Sequence, residues 1–310
     1  MIGWLRRRAE KRRLHITDIA VPGPARGREV GAPNRVGSES VPVRVYEPAR
    51  AWATLVWAHG GSFVRGTLDW PEADWVARSF AAAGIRVYSV DYALASDGVK
   101  APAPGNDVAA VLDWVAREDR ARADRDRGAG PTPLVIGGAS AGAHLAVLAA
   151  LNRAEHAALG DGRPADALLL EYPTLHRVQR ADAAISAATA TLPAQRRFDA
   201  QRIAEMYAFY LGSAAGEPLA GGACVAGELP PERLALLPAT VLVHADADDL
   251  RASGEQLAEQ LRAAGVDVAE SVQRGTVHGY LNRPEEHERA RDDARATIAH
   301  FVAELRRITA

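Results

Sequence analysis

Gly138-Ala139-Ser140-Ala141-Gly142 places a serine midway between two glycines. The apolar run Leu134-Val135-Ile136 leads into it and His144-Leu145-Ala146-Val147-Leu148 leads away, so the pentapeptide stands where a strand turns sharply into a helix. A serine at the tip of such a turn has a strained backbone. Glycines two residues to either side let strand and helix approach without Cβ clashes. The hydroxyl then projects above a sheet, at the positive end of a helix. This suits a nucleophile. The spacing fits neither a dinucleotide fingerprint, which needs G-x-G-x-x-G, nor a phosphate loop, which needs Gly-Lys followed by Ser or Thr. The plain alternative is a small-residue turn built for tight packing.

Three further clusters give that serine something to work with. His59-Gly60-Gly61-Ser62-Phe63 follows the strand-like run Thr54–Ala58. Glycines after a strand let backbone N–H groups face a developing oxyanion, together with the N–H of the residue after the nucleophile. The expected donors are Gly60, Gly61, Ser62 and Ala141. The late apolar run Val241–Ala245 opens into Asp246-Ala247-Asp248-Asp249, where one carboxylate could orient an imidazole and the others are solvated loop acids or helix caps. Gly275-Thr276-Val277-His278-Gly279-Tyr280 then supplies a histidine after the last strand-like run. The order serine, aspartate, histidine is that of one serine-hydrolase architecture. His278 would take the proton of Ser140, and the aspartate would hold the imidazole tautomer.

The remaining histidines read as surface or packing residues. His144 points into helix packing, His244 precedes the acid loop, and His59 organises its own loop. No set of His, Asp or Glu has zinc spacing such as H-E-x-x-H.

The elements that must position these groups are short β-branched runs alternating with helical stretches. The strand candidates are Ile16–Val21, Val41–Tyr46, Thr54–Ala58, Ile85–Val90, Leu134–Gly137, Ala167–Glu171, Val241–Ala245 and Val266–Val272. The first two adjoin with no helix between them, which predicts an antiparallel start. Helical patterns cover Trp70–Ala83, Asp107–Arg117, Ala141–Leu151, Gly254–Ala264 and Pro284–Arg307. Gly265 stands where a helix-ending glycine belongs. This alternation predicts an α/β fold with a mostly parallel sheet of about eight strands, covered on both faces. The stretch from His176 to Pro238 breaks the rhythm. Within it Phe198–Leu211 reads as a helix with an apolar stripe of Ile203, Met206, Tyr207, Tyr210 and Leu211. So long an insert in a compact domain is more often functional than idle.

Composition narrows the function classes. The 310 residues carry 37 basic and 39 acidic groups, a net charge of −2, so no global field exists to hold nucleic acid or an anionic membrane. Only Lys11 and Lys100 are lysines. Cys224 is the only cysteine, which excludes an internal disulfide and fits a reducing compartment. Apolar runs fall well short of a membrane span. Arg6, Arg7, Arg8, Lys11, Arg12 and Arg13 charge the first residues without a following apolar stretch, so they read as a surface amphipathic helix and not a signal peptide. The expected address is the cytoplasm.

These motifs together resemble the hormone-sensitive-lipase-like group of α/β-hydrolases, in its bacterial carboxylesterase branch, from about Val41 to the end. His59-Gly60-Gly61 resembles that group's His-Gly-Gly-Gly signature, with Ser62 at the last position. Asp91-Tyr92-Ala93-Leu94-Ala95 resembles its Asp-Tyr-Arg-Leu-Ala-Pro stretch. Asp248-Asp249-Leu250-Arg251 resembles its Asp-Pro-Leu-Arg, which selects Asp248 over its rivals Asp249 and Asp246. His278-Gly279-Tyr280 resembles its His-Gly-Phe. The elbow departs from the group at Ala139, where many members have Asp, and at Ala143, where many have a second glycine. The resemblance implies an α/β-hydrolase fold spanning 1–310. It also implies a helical cap made of about 1–32 and 176–238. The activity implied is that of a serine carboxylesterase on short- to medium-chain acyl esters, through an acyl-enzyme. Phe63, Met206, Tyr207 and Tyr210 would touch substrate. No cofactor or metal, nucleic-acid partner or membrane partner is expected, and the group admits a homodimer. Two alternatives share the fold: a non-catalytic small-molecule receptor, and an amidase or peptidase using the same three side chains.

Overall fold

The computed structural model describes residues 14–24, 39–125, 130–215, 219 and 222–310. Eight strands form one sheet: β1 His15–Pro22, β2 Ser40–Glu47, β3 Ala53–Ala58, β4 Ile85–Val90, β5 Leu134–Ala139, β6 Ala167–Glu171, β7 Thr240–Ala247 and β8 Val268–Val277. Their spatial order is β1-β2-β4-β3-β5-β6-β7-β8. β2 is antiparallel to both β1 and β4, with Val43 opposite Val90, and every pairing from β4 through β8 is parallel. The expected antiparallel start and parallel remainder are both present.

The central strands β3 to β6 are buried along their whole length, which is why they read as continuous apolar runs. Their alternate residues feed two cores. Leu55 and Trp57 of β3 face α1, Asp74–Ala82, and α7, Ala290–Ile308, against Val76, Phe80 and Phe301. Val56 and Ala58 face the other side, where α2, Ala103–Arg125, and α3, Ala141–Ala158, contribute Val111, Leu112 and Leu145. The helix α6, Arg251–Ala263, joins this second core through Leu257 and Leu261.

Two boundaries differ from the sequence pattern for physical reasons. α2 runs on to Arg125 because its last turns are mostly charged, so no apolar spacing announces them. β8 reaches Val277 through Gln273, Arg274 and Gly275, because a bulge between Ala245 and Ala247 of β7 lets the pair continue to Val277 opposite Ala247. That extension delivers His278 to the C-terminal edge of the sheet.

The insert between β6 and β7 holds α4, Ala183–Thr189, and α5, Ala200–Leu211, started by Asp182 and Asp199. Their carboxylates accept the amides of Ile185 and Arg202 at 2.9 and 2.8 Å. α5 buries Ile203, Tyr207, Tyr210 and Leu211, and Tyr210 stacks on Phe63 with ring centres 4.0 Å apart. Its C-terminal end is tied down by Lys100 Nζ donating to the Phe209 carbonyl and by the Ala101 amide donating to the Tyr210 carbonyl, both at 2.8 Å. The expectation that about 1–32 join a cap needs correcting for part of its length. Residues 15–22 are the edge strand β1, paired along β2, because every second backbone group there is met by the ladder. Residues 1–13 and 25–32, including the basic cluster, lie outside the described residues. Among the described residues no helix is long and apolar enough to cross a membrane.

Candidate active site

Ser140 ends the β5–α3 turn with φ 53° and ψ −117°, a conformation that costs a serine about 1–3 kcal/mol and must be held by its surroundings. Its amide donates to the Glu171 carbonyl of β6 at 2.9 Å. A Cβ added to Gly142 would lie 2.1 Å from the Ala58 carbonyl oxygen, so only glycine lets α3 start this close to β3. Ser140 Oγ stands 3.0 Å from His278 Nε2. His278 Nδ1 stands 2.8 Å from Asp248 Oδ2. A carboxylate only accepts, which places the imidazole proton on Nδ1 and leaves Nε2 free to accept from the serine hydroxyl. Asp248 is fully buried, and its second oxygen accepts the Leu250 amide at 2.9 Å. The ring of His278 is held between Tyr172 and Phe198, at 4.9 and 4.7 Å, and Arg283 donates to its backbone carbonyl at 2.6 Å.

The neighbouring aspartates are occupied elsewhere. Asp249 accepts from Arg197 Nε at 2.8 Å, the Phe198 amide at 2.7 Å and Thr189 Oγ1 at 2.8 Å, which moors the insert to the end of β7. Burial opposes its ionised form, yet those bonds outweigh burial and hold its pKa below the ordinary carboxylate value. Asp246 accepts from Arg274 and the Gly275 amide, both at 2.9 Å.

The loop after β3 turns through three consecutive positive φ angles: Gly61 at 122°, Ser62 at 54° and Phe63 at 66°. The amides of Gly61, Ser62 and Ala141 have no acceptor among the described residues, and Gly61 and Ser62 line the cleft over Ser140. Gly60 does not belong with them. Its amide donates to Glu72 Oε2 at 2.5 Å and is thus unavailable to an oxyanion. Glu72 was not legible as a site residue. Its carboxylate also accepts from Tyr172 Oη, while its backbone amide donates to Asn282 Oδ1 at 3.0 Å, so one buried residue ties together the loop, the residue that follows β6 and the segment after His278. The non-glycine residues with positive φ among the described residues are Ser62, Phe63, Ser140 and Tyr172. All lie in or against this cleft, as expected where strain serves a site.

The cleft encloses about 310 Å³, with Ser140 and His278 among its lining. A wider groove of about 730 Å³ shares Ser62, Arg65, Phe198 and Arg202 with it and is walled by Val64, Met206 and Phe209. Of the four expected substrate contacts, Met206 alone lines either space. Phe63, Tyr207 and Tyr210 are buried and instead pack the insert onto the body around His144. Tyr207 Oη lies 3.3 Å from both Thr174 Oγ1 and His144 Nδ1. Burial is the dominant influence on His144 and lowers its pKa to about 4, so it is a neutral packing residue near pH 7. The apolar stripe of α5 points inward to that core, while polar and aromatic groups at its margin, Phe198 and Arg202, reach the cleft. Among the described residues no group of three or more His, Cys, Asp or Glu could hold a metal ion.

Residues 55–282 match the family described as alpha/beta hydrolase fold. The chain belongs to that family. Within it the chain falls in the hormone-sensitive-lipase-like bacterial carboxylesterase branch. It is 31% identical to the carboxylic ester hydrolase LipN of Mycobacterium tuberculosis over 273 residues, 87% of this chain and 65% of LipN. The chain thus spans slightly less than two thirds of that relative. It is 35% identical to the carboxylesterase NlhH of the same organism over 253 residues, 79% of this chain and 73% of NlhH. The crystal structure of esterase LipW from Mycobacterium marinum superposes with a TM-score of 0.68 at 29% identity, covering 97% of this chain and 86% of that one.

Proposed function

We propose that this α/β-hydrolase is a serine carboxylesterase that hydrolyses short- to medium-chain acyl esters through Ser140, His278 and Asp248. The observation that carries this reading is the unbroken run of hydrogen bonds from Ser140 Oγ through both nitrogens of His278 to the buried Asp248. Ser140 Oγ attacks the ester carbonyl carbon and its proton passes to His278 Nε2. The carbonyl oxygen becomes an oxyanion and takes hydrogen bonds from the uncommitted amides of Gly61, Ser62 and Ala141. Collapse breaks the C–O bond to the alcohol, which leaves with the proton from His278. Water then gives a proton to His278 and attacks the acyl-enzyme, releasing the acid and restoring Ser140. Asp248 stays ionised throughout and steadies the imidazolium. The names of LipN, NlhH and LipW support ester substrates. The modest cleft with its apolar outer wall supports short and medium acyl chains.

An aryl alkylphosphonate tests the reading. One adduct per chain is expected, on the peptide carrying Ser140 by mass spectrometry. No adduct, or an adduct on another residue, would sink it.

Glu72 is a positioning residue in this scheme, since its carboxylate is taken up by the Gly60 amide and Tyr172 Oη. Glu72→Ala frees the Gly60 amide and lets the donor loop shift. We expect kcat on a p-nitrophenyl ester to fall by about 10²-fold, comparable to losing one oxyanion donor, with KM little changed. Glu72→Gln keeps an oxygen acceptor for the Gly60 amide and is expected to recover most of that loss.

A further inference from the structure

The wall of the small cleft over Ser140 is unusually rich in guanidinium groups. Arg65, Arg196, Arg202 and Arg283 all line it, and Glu72 is the only carboxylate there among the described residues. Glu72 is already engaged by the Gly60 amide and Tyr172. Arg196 and Arg283 share a single counter-ion, Glu286, just outside the cleft. The other two have none. Arg65 is exposed, and its side chain makes no hydrogen bond or ion pair among the described residues. Arg202 lies over the Phe198 ring at 4.4 Å, and its Nη1 donates to the carbonyls of Gln195 and Arg197 at 3.2 and 2.6 Å. Those contacts orient the fork and leave its charge uncompensated by any carboxylate among the described residues. The outer groove differs: its lining adds the carboxylates of Asp97 and Glu205, neither of them paired with Arg65 or Arg202. The cationic excess therefore belongs to the inner cleft, beside the nucleophile.

Resting on the esterase reading, we propose that the preferred acyl group carries a carboxylate, so that the substrate is a half-ester of a dicarboxylic acid, with Arg65 and Arg202 reading the free carboxylate. A planar guanidinium with unused donors matches a carboxylate in two hydrogen bonds. Stacking on Phe198 pre-orders Arg202, so less freedom is lost on binding. A partly enclosed cleft of one charge sign also raises the local concentration of anions, an effect that salt screens.

The test compares monoethyl succinate with ethyl butyrate, which have acyl chains of equal length, by pH-stat titration of the acid released. The intact chain is expected to favour the half-ester in kcat/KM by about tenfold, the worth of one charge-assisted hydrogen bond, mostly through KM. Half-molar salt narrows that ratio. Arg65→Gln and Arg202→Gln each lower it several-fold, and Arg65→Glu turns it in favour of ethyl butyrate. The Arg65 side chain makes no hydrogen bond or ion pair among the described residues, so its variants also guard against a folding defect at Arg202. A ratio at or below one in the unsubstituted chain, or a ratio that ignores both arginines, overturns the proposal. In that case Ser140-dependent turnover of ethyl butyrate would leave the esterase reading standing. Turnover of both esters that survives Ser140→Ala would overturn the two together.

Discussion

Ser140→Ala is expected to cut ester turnover by about 10⁶-fold while the protein remains folded. The variant removes only Oγ. Alanine keeps the Cβ that the φ 53° turn already tolerates, and the amide bond to the Glu171 carbonyl persists. His278 then has no hydroxyl to deprotonate, so the covalent route closes. The amides of Gly61, Ser62 and Ala141 remain, and the residual rate should still exceed that in water by about 10³-fold. Burst kinetics with a p-nitrophenyl ester provide the measurement. The intact chain releases one equivalent of nitrophenol ahead of steady state if deacylation is slow, and the variant shows no burst. Turnover by Ser140→Ala within tenfold of the original would end the covalent mechanism.

Asp248→Asn is expected to lower kcat by about 10⁴-fold, the size of the effect in a serine protease with the same arrangement. The reason is the imidazole tautomer. An asparagine amide can donate to Nδ1, which then carries no proton. The proton moves to Nε2, which faces Ser140 Oγ at 3.0 Å and can no longer accept from it. The Leu250 amide keeps its acceptor in the variant's side-chain oxygen, so the loop stays in place. Asp249→Asn is the matched comparison. That residue faces Arg197, Phe198 and Thr189, so its loss is expected to loosen the insert and lower thermal stability without a 10⁴-fold effect on kcat. Steady-state kinetics and thermal melts on the two variants separate these roles. A large kinetic loss at Asp249 with little at Asp248 would reassign the acid.

Much of the fold was legible because its signals are local. Strands buried on both faces appear as unbroken apolar runs, and β4 and β6 begin and end where those runs do. The turn at Ser140 announces itself because steric exclusion at Gly138 and Gly142 leaves few residue choices. Polar helix ends such as 118–125 of α2 carry no such signal, and neither does the bulge that lengthens β8. Within the site, Glu72 stayed hidden because nothing near it in sequence marks it. Its partners Gly60, Tyr172 and Asn282 come from separate parts of the chain. The aromatic stripe of α5 was visible, but periodicity gives the direction of a face and not what that face meets. Tyr207 and Tyr210 met a buried histidine and Phe63 instead of substrate space.

The amino-acid sequence alone determined the strand–helix alternation, the strained serine turn, the glycine loop after β3 and the order of serine, acid and histidine, since each depends on sterics and periodicity over a few residues. Folding in three dimensions decided which of three similar aspartates meets His278, which loop amides stay uncommitted, and which arginines face the nucleophile without a counter-ion. Those choices distinguish chemically equivalent groups, and only distance can do that: Ser140 and His278 are 138 positions apart in the chain and 3.0 Å apart in space.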